Sequence, residues 1–276
     1  MIDKQLLQKR FSQHATTYDQ YANVQKRMAK YLMNLIPTDL KKSSNTLRIL
    51  EVGCGTGYLT SLLSEKFPEA KITAVDLAPG MIEAAKKRLQ EKKVSFICGD
   101  IEEIALQGEY DVIISNATFQ WFNNLENTLH GLLLLLKKEG VLCFSTFGCQ
   151  TFKELHASFE RATQILRIEN NSRVGPSFYS LTELKKVCTN SIPADAKRFS
   201  YIKASEKEEY EFFRTVRDFF TSIKKIGANN SNQEAYCQRP SLFKELVNVY
   251  ETNYKENEQI KATYHCLFIK IEKIER

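Results

Sequence analysis

Long apolar runs are missing from this chain of 276 residues. The longest is Leu132–Leu136, where a membrane-spanning helix needs about 20 residues. Contact with a membrane is therefore not expected. The segment Met1–Gln5 is polar, so a signal peptide is not expected either. Metal-ligand clusters are also missing. The seven cysteines are odd in number and scattered, no C-x-x-C pair occurs, and the four histidines stand alone. Cys98, Cys143 and Cys266 fall in strand-like runs, where cysteine acts as a small hydrophobe. Neither a structural metal nor a disulfide framework is expected, which points to a reducing, cytoplasmic setting. Charge of one sign is not concentrated anywhere. The net charge of +6 is spread along the chain, which suits acidic partners mildly and argues against a nucleic-acid enzyme with a basic face.

Glycine is scarce, yet three of the eleven glycines sit at alternate positions, Gly53, Gly55 and Gly57. The apolar run Leu47–Val52 reads as a buried parallel strand, with Glu51 near its end. Thr56 and Tyr58–Lys66 read as a cap and a helix. A strand turning into a helix through residues without Cβ is a cradle in which a ligand can approach the main chain. A pyrophosphate loop would be spaced G-x-G-x-x-G; here the third glycine comes one residue early. Glu51 would repel a pyrophosphate and attract an ammonium group.

The following elements repeat one pattern. Lys71–Val75 is a strand ending at Asp76, nineteen residues after Gly57. An acid at that distance can accept both hydroxyls of a ribose; it could equally cap the helix Pro79–Gln90. Val94–Cys98 is a strand followed by Gly99, Asp100 and Ile101, and Tyr110–Ser115 is another, ending at Asn116. Strands that end in small or polar residues on one edge describe an open α/β sheet, whose ligands bind at the carboxyl edge.

The rest of the chain frames this core. Residues 1–40 read as two helices, Asp3–His14 and Tyr21–Leu35, joined by a segment, Phe11–Ala22, able to close over a ligand as a lid. Residues 41–276 form the main domain. It continues with a helix Leu125–Lys137, a strand Gly140–Thr146, helices Thr151–Ile168 and Ser180–Asn190, and alternating strands Lys197–Ala204 and Gln259–Lys273. Residues 206–254 between these strands are expected to form a helical insertion. Its buried stripe would be Val216, Phe219, Phe220 and Ile223, stopped near Gly227.

The run from Glu51 to Gly57, with Asp76 and Asp100 after it, resembles the class I S-adenosylmethionine-dependent methyltransferases. The resemblance implies a Rossmann-like α/β fold with a seven-stranded, mostly parallel sheet and an antiparallel last strand. It also implies a cofactor site comprising Tyr21, Glu51, Gly53, Gly55, Gly57, Asp76, Leu77, Met81, Asp100, Ile101 and Asn116. Three further segments narrow the family: Asn116–Trp121, the lid pattern Phe11, Ser12, Ala15, Tyr18, Tyr21, Ala22 and Gln25, and the run Ile223–Asn230. Together these resemble the malonyl-acyl carrier protein O-methyltransferases of biotin synthesis. Tyr58 departs from the family, where a smaller or apolar residue is usual.

That resemblance implies methyl transfer from S-adenosylmethionine to the free carboxylate of a malonyl thioester. The thioester would be carried on an acidic acyl carrier protein or on coenzyme A, and a monomer is expected. Tyr18, Gln120 and Trp121 would position the reactants, although Trp121 could equally be core. Arg173, Arg217 and Lys224 are candidates to hold the substrate carboxylate, each with a solvated surface charge as the plainer alternative. Lys224 and Lys225 are candidate docking points for the carrier. Other readings are a methyltransferase of a quinone precursor or free dicarboxylic acid, an RNA methyltransferase, and a cofactor-binding protein without catalysis. The RNA reading is disfavoured because Asn116-Ala117-Thr118-Phe119 lacks the two prolines of the N-methylating members.

Overall fold

The computed structural model describes residues 1–37, 40, 46–90, 92–168, 175–193, 199–228 and 239–273. In chain order the elements are α1 (Lys4–Tyr21), α2 (Asn23–Met33), β1 (Arg48–Val52), α3 (Tyr58–Lys66), β2 (Lys71–Asp76), α4 (Pro79–Arg88), β3 (Val94–Cys98) and β4 (Tyr110–Asn116). They continue with a short 3-10 turn (Phe119–Trp121), α5 (Leu125–Leu134), β5 (Leu136–Phe147), α6 (Lys153–Ile165) and α7 (Leu181–Asn190). The chain closes with β6 (Phe199–Phe213), α8 (Val216–Lys225), α9 (Pro240–Asn253), β7 (Lys255–Glu256) and β8 (Gln259–Lys273).

One sheet runs β3-β2-β1-β4-β5-β8-β6, with the two-residue β7 added on β8. The seven strands of that order match the expected sheet. β1, β2, β3, β4 and β5 pair in parallel, while β8 is antiparallel to both β5 and β6. Helices on both faces explain why the central strands β1 and β4 carry the consecutive apolar residues Ile49–Leu50 and Val112–Ile114. Ile49 faces the core under α2 and α3, and Leu50 faces the one under α5 and α7. Val52, Asp76, Cys98 and Asn116 end their strands on the same edge.

The N-terminal segment differs from the two helices with a joining loop. α1 is continuous through Phe11–Tyr21, and the break is confined to Ala22. Asp3 caps α1 by accepting from the Leu6 N–H at 2.9 Å. The segment has no glycine or proline to interrupt it. α2 belongs to the main core: Val24, Met28, Ala29 and Leu32 are buried with β1, β4 and β5 residues. Of the expected lid, α1 lies over the carboxyl edge, and α2 reaches it through Gln25.

The insertion also begins later than expected. β6 runs on to Phe213, so residues 206–213 are an edge strand rather than helix. Its charged run, Glu206 to Glu209, suits an edge that must not pair with other chains. Two helices, α8 and α9, fill the rest of the described insertion. Asn229 and Asn230 lie outside the described residues, as does the expected start of β6 at Lys197.

Candidate functional site

The carboxyl edge opens into a cavity of about 380 Å³. Its floor is the turn from β1 to α3. Gly53 has φ +73°, and a Cβ there would lie 2.1 Å from Thr118 Oγ1, so neither backbone nor space admits a side chain. Gly53 and Gly55 line the cavity; Gly57 does not. Gly57, at φ +79°, instead caps α3, in place of the expected Thr56. Thr56 donates its hydroxyl to Asp19 at 2.9 Å.

Asp76 also lines the cavity. Its carboxylate accepts from the Gly55 N–H and the Ala78 N–H, both at 2.8 Å. The helix cap itself is Ala78. Each Asp76 oxygen accepts one bond from protein, so each keeps capacity for another donor. Burial pushes its carboxyl up to about 6, against the lowering effect of the two N–H donors.

Glu51 lies behind this surface. It is 1% exposed, and its neighbours Val52 and Gly53 line the cavity while it does not. Its Oε2 is buried with no hydrogen-bond partner among the described residues. Burial raises the carboxyl to about 8; the nearby Thr60 hydroxyl, too poorly placed to satisfy Oε2, works against the rise, and the Asp76 charge adds to it. An orphaned carboxylate oxygen is costly to bury, so its presence beneath a ligand loop fits a cationic group arriving with the ligand.

The remaining cofactor candidates Leu77, Met81, Asp100, Ile101 and Asn116 all line the cavity. Tyr21, the last residue of α1, does not. Asn116 is locked in place: its amide donates to Gln25 O at 3.0 Å, and its carbonyl accepts from Ser145 Oγ at 2.8 Å.

Tyr18, Gln120 and Trp121 meet at the same cavity. Gln120 is gripped at both ends, its amide donating to Ala117 O at 2.7 Å and its carbonyl accepting from Thr146 Oγ1 at 2.8 Å. One amide hydrogen is left over. Trp121 meets Phe11 edge-on at 5.8 Å between ring centroids. Burial, with Asp76 and Asp19 nearby, pushes the Tyr18 hydroxyl well above its ordinary range, so it is a neutral donor at any working pH.

α1 roofs this chamber and is tied down along its length. Gln8 donates to Leu77 O at 2.9 Å, Ser12 Oγ accepts from the Gly80 N–H at 3.3 Å, and Thr17 donates to Lys225 O at 2.9 Å. Asp19 pairs with Arg88 of α4. Beyond Trp121 the lining turns apolar, with Phe147, Phe152, Phe178, Phe220, Ile223 and Tyr264. Ala117 and Phe152 both hold left-handed backbones here, with φ +53° and +59°. Such strain in non-glycine residues clusters at functional sites.

None of the three candidate cations is found on the described wall. Arg217 and Lys224 are exposed on the outer face of α8, and Arg173 lies outside the described residues. Lys4 is the cation that the described lining does contain. It stood outside the expected site, as did Phe147, Phe152, Phe178 and Tyr264 of the apolar end, whereas Gln25 of the lid pattern does line the cavity. Lys4 in a first helical turn, where the dipole disfavours a cation, was the available signal. Phe220 and Ile223 were read as core but face the cavity, while Val216 and Phe219 are fully buried.

The comparisons agree with this geometry. Residues 43–215 match the family model described as a methyltransferase domain. A malonyl-[acyl-carrier protein] O-methyltransferase of Priestia megaterium is 54% identical over 273 residues, 99% of either chain. One of Acetivibrio thermocellus is 49% identical, covering 98% of this chain and 94% of its own. Among solved structures, a phosphoethanolamine N-methyltransferase of Haemonchus contortus, bound to S-adenosylhomocysteine, aligns with a TM-score of 0.58 at 14% identity. The alignment covers 96% of this chain and 58% of that one, and it speaks to fold alone.

Proposed function

Because the chain belongs to the malonyl-[acyl-carrier protein] O-methyltransferase family, we propose that it methylates the free carboxylate of a malonyl thioester on acyl carrier protein, using S-adenosylmethionine. The observation that carries this reading is a single cavity with two unlike ends. One end offers Gly53, Gly55, Asp76 and Asp100 at a sheet edge; the other is apolar and aromatic.

The residues fit the cofactor. Asp76 has acceptor capacity for ribose hydroxyls, and Glu51 has an unpaired buried oxygen for a cationic group. S-adenosylmethionine, when bound, supplies an electrophilic methyl group. The malonyl carboxyl is ionised well below pH 7, as ordinary carboxyls are, so this chain needs no general base. Its residues have to align the carboxylate and keep water out, a matter of proximity and orientation. The aromatic end excludes water. Gln120, fixed by Ala117 and Thr146, is the rigid positioning element, with the Tyr18 hydroxyl and the Trp121 N–H as further neutral donors. Neutral donors hold an anion without withdrawing its reactivity as an ion pair would. The domain division follows: α1 is the lid, and α8 supplies the acceptor-side wall.

The test offers the whole protein labelled S-adenosylmethionine with malonyl-acyl carrier protein, malonyl-coenzyme A and malonate in parallel. Label on the carrier thioester, released by ester hydrolysis, is the expected result. Cofactor binding with no label on any malonyl acceptor refutes the substrate. Gln120→Ala and Trp121→Ala should lower kcat far more than they weaken S-adenosylhomocysteine binding; equal losses would make both residues mere framework.

A further inference from the structure

The pairing of β5 with β8 ends at Phe147 and Cys266, while β8 itself extends back to Gln259. Residues 148–152, between β5 and α6, take over the edge that β5 leaves. The Gly148 N–H donates to His265 O at 2.7 Å, and the Phe152 N–H to Thr263 O at 2.7 Å. In the other direction, the His265 N–H donates to Thr151 Oγ1 at 3.1 Å, and the Thr263 N–H to Glu154 Oε2 at 3.1 Å. Four main-chain groups of β8 are satisfied in this way, as buried backbone requires. The same loop reaches the cavity, where Thr151 and Phe152 stand in the lining with Phe147 and Tyr264. Phe152 holds φ +59°, a backbone that persists only where its surroundings hold it.

Those bonds would form with any residue at position 265. The side chain of His265 adds one of its own: Nδ1 lies 3.3 Å from the Gln150 nitrogen. A main-chain N–H can only donate, so Nδ1 accepts, and the ring carries its proton on Nε2. Nε2 lies 3.0 Å from Glu206 Oε2, an acceptor that suits this tautomer. The ring is seated against Gly148, where a Cβ would stand 2.4 Å from Nδ1 and 2.8 Å from Cε1. The φ of Gly148 is not positive, so it is the imidazole, not the backbone, that requires glycine there. His265 is 7% exposed. A buried ring with a partner at each nitrogen fixes one geometry, where an aliphatic residue would only fill space.

We propose that His265 is a positioning residue for the methyl acceptor: through Nδ1 it holds the loop of residues 148–152 on β8, so that Thr151 and Phe152 present a fixed acceptor wall. The inference rests on the malonyl thioester reading above. His265 does not itself line the cavity. It acts through the loop and leaves the cofactor end, which is built on β1, β2, β3 and β4, untouched.

The experiment compares the full chain with His265→Asn and His265→Gln. Initial rates are measured with malonyl-acyl carrier protein at saturating S-adenosylmethionine, and S-adenosylhomocysteine binding by calorimetry. Asparagine places its carbonyl oxygen where Nδ1 stands; glutamine is closer to histidine in size but reaches only the Nε2 position. His265→Asn should therefore keep the wild-type KM. His265→Gln should raise it about fivefold, the worth of one ordinary hydrogen bond, with kcat and S-adenosylhomocysteine affinity unchanged in both. The same KM in both variants would reduce His265 to a space-filling residue and overturn the proposal. A loss of S-adenosylhomocysteine affinity in step with the rise in KM would overturn it too, by making His265 a residue of the fold as a whole. Wild type that binds S-adenosylhomocysteine but labels no malonyl acceptor would overturn the acceptor reading itself, and the proposal with it.

Discussion

Gly80 is the second residue of α4, where an exposed glycine would be a liability. Changing a helical glycine to alanine ordinarily adds about 1 kcal/mol of stability. The structure predicts the opposite here. A Cβ on Gly80 would stand 2.6 Å from the Ser12 carbonyl oxygen, 2.8 Å from its Cα and 3.0 Å from its carbonyl carbon. All three are backbone atoms, so no side chain can turn aside. To restore ordinary contact, α1 must retreat by about 0.8 Å, from 2.6 to 3.4 Å. The bond from Gly80 N–H to Ser12, already 3.3 Å, breaks. The apolar contact of Ala15 with Ala78 and Met81 loosens. Overpacking of this kind costs about 1–3 kcal/mol, which exceeds the helix gain. Gly80→Ala should therefore be neutral to about 2 kcal/mol less stable in denaturant titration, since about 1 kcal/mol is returned by the helix. It should also bind S-adenosylhomocysteine about tenfold more weakly by calorimetry, a loss of about 1.4 kcal/mol, because Tyr18 and Phe11 move with α1. A variant that is more stable than wild type and binds as well would refute the close crossing of α1 and α4.

Two other outcomes test the site and the core. The Glu51 carboxyl titrates near 8 instead of its ordinary value of 4.5. The folded chain therefore holds a proton that the unfolded chain has lost between those values, and Glu51 weakens the ligand-free protein progressively as pH rises through that window. A ligand ammonium that needs Glu51 ionised should bind about tenfold more weakly for each pH unit below 8. It should also release about one proton at pH 7, measured by calorimetry in buffers of different ionisation enthalpy; Glu51→Gln should abolish the release. Equal proton release from Glu51→Gln would remove Glu51 from the site. Leu32→Ala in α2 should cost about 2–5 kcal/mol of global stability, as for a buried leucine, because Leu32 is fully buried in the main core. A small loss of stability with a large loss of ligand affinity would instead make α2 part of a detachable lid.

How much of this was legible in the sequence depended on how local each feature is. β1, the glycine turn and α3 were readable because a strand buried on both faces is apolar throughout and glycine marks the turn. Gln259–Lys273 was readable from alternation. The second half of α1, beyond His14, was not, since the helix is held on one side by Gln8 to the turn after β2 and by Ser12 to α4, and on the other by Thr17 to α8, so no single apolar stripe records its burial. The acceptor end was illegible for a related reason. Phe147, Phe152, Phe178, Phe220 and Tyr264 come from five separate segments, and no spacing along the chain brings them together. The misplaced cations follow from helix geometry. Arg217 and Lys224 are seven apart and share the solvent face of α8, opposite the face that buries Val216 and Phe219.

The position of β8 has a consequence for how the chain is made. It is synthesised after every strand it joins, yet it sits between β5 and β6 and contributes Tyr264 to the cavity wall. Until it emerges, β5 is an open edge and β6 has no partner in the sheet. Both are long strands, of 12 and 15 residues, and unpaired strand edges are what nascent chains aggregate through. A ribosome that stalls before Gln259 thus releases neither a weaker enzyme nor a smaller one, but a sheet that stops at a bare β5 with β6 left unattached.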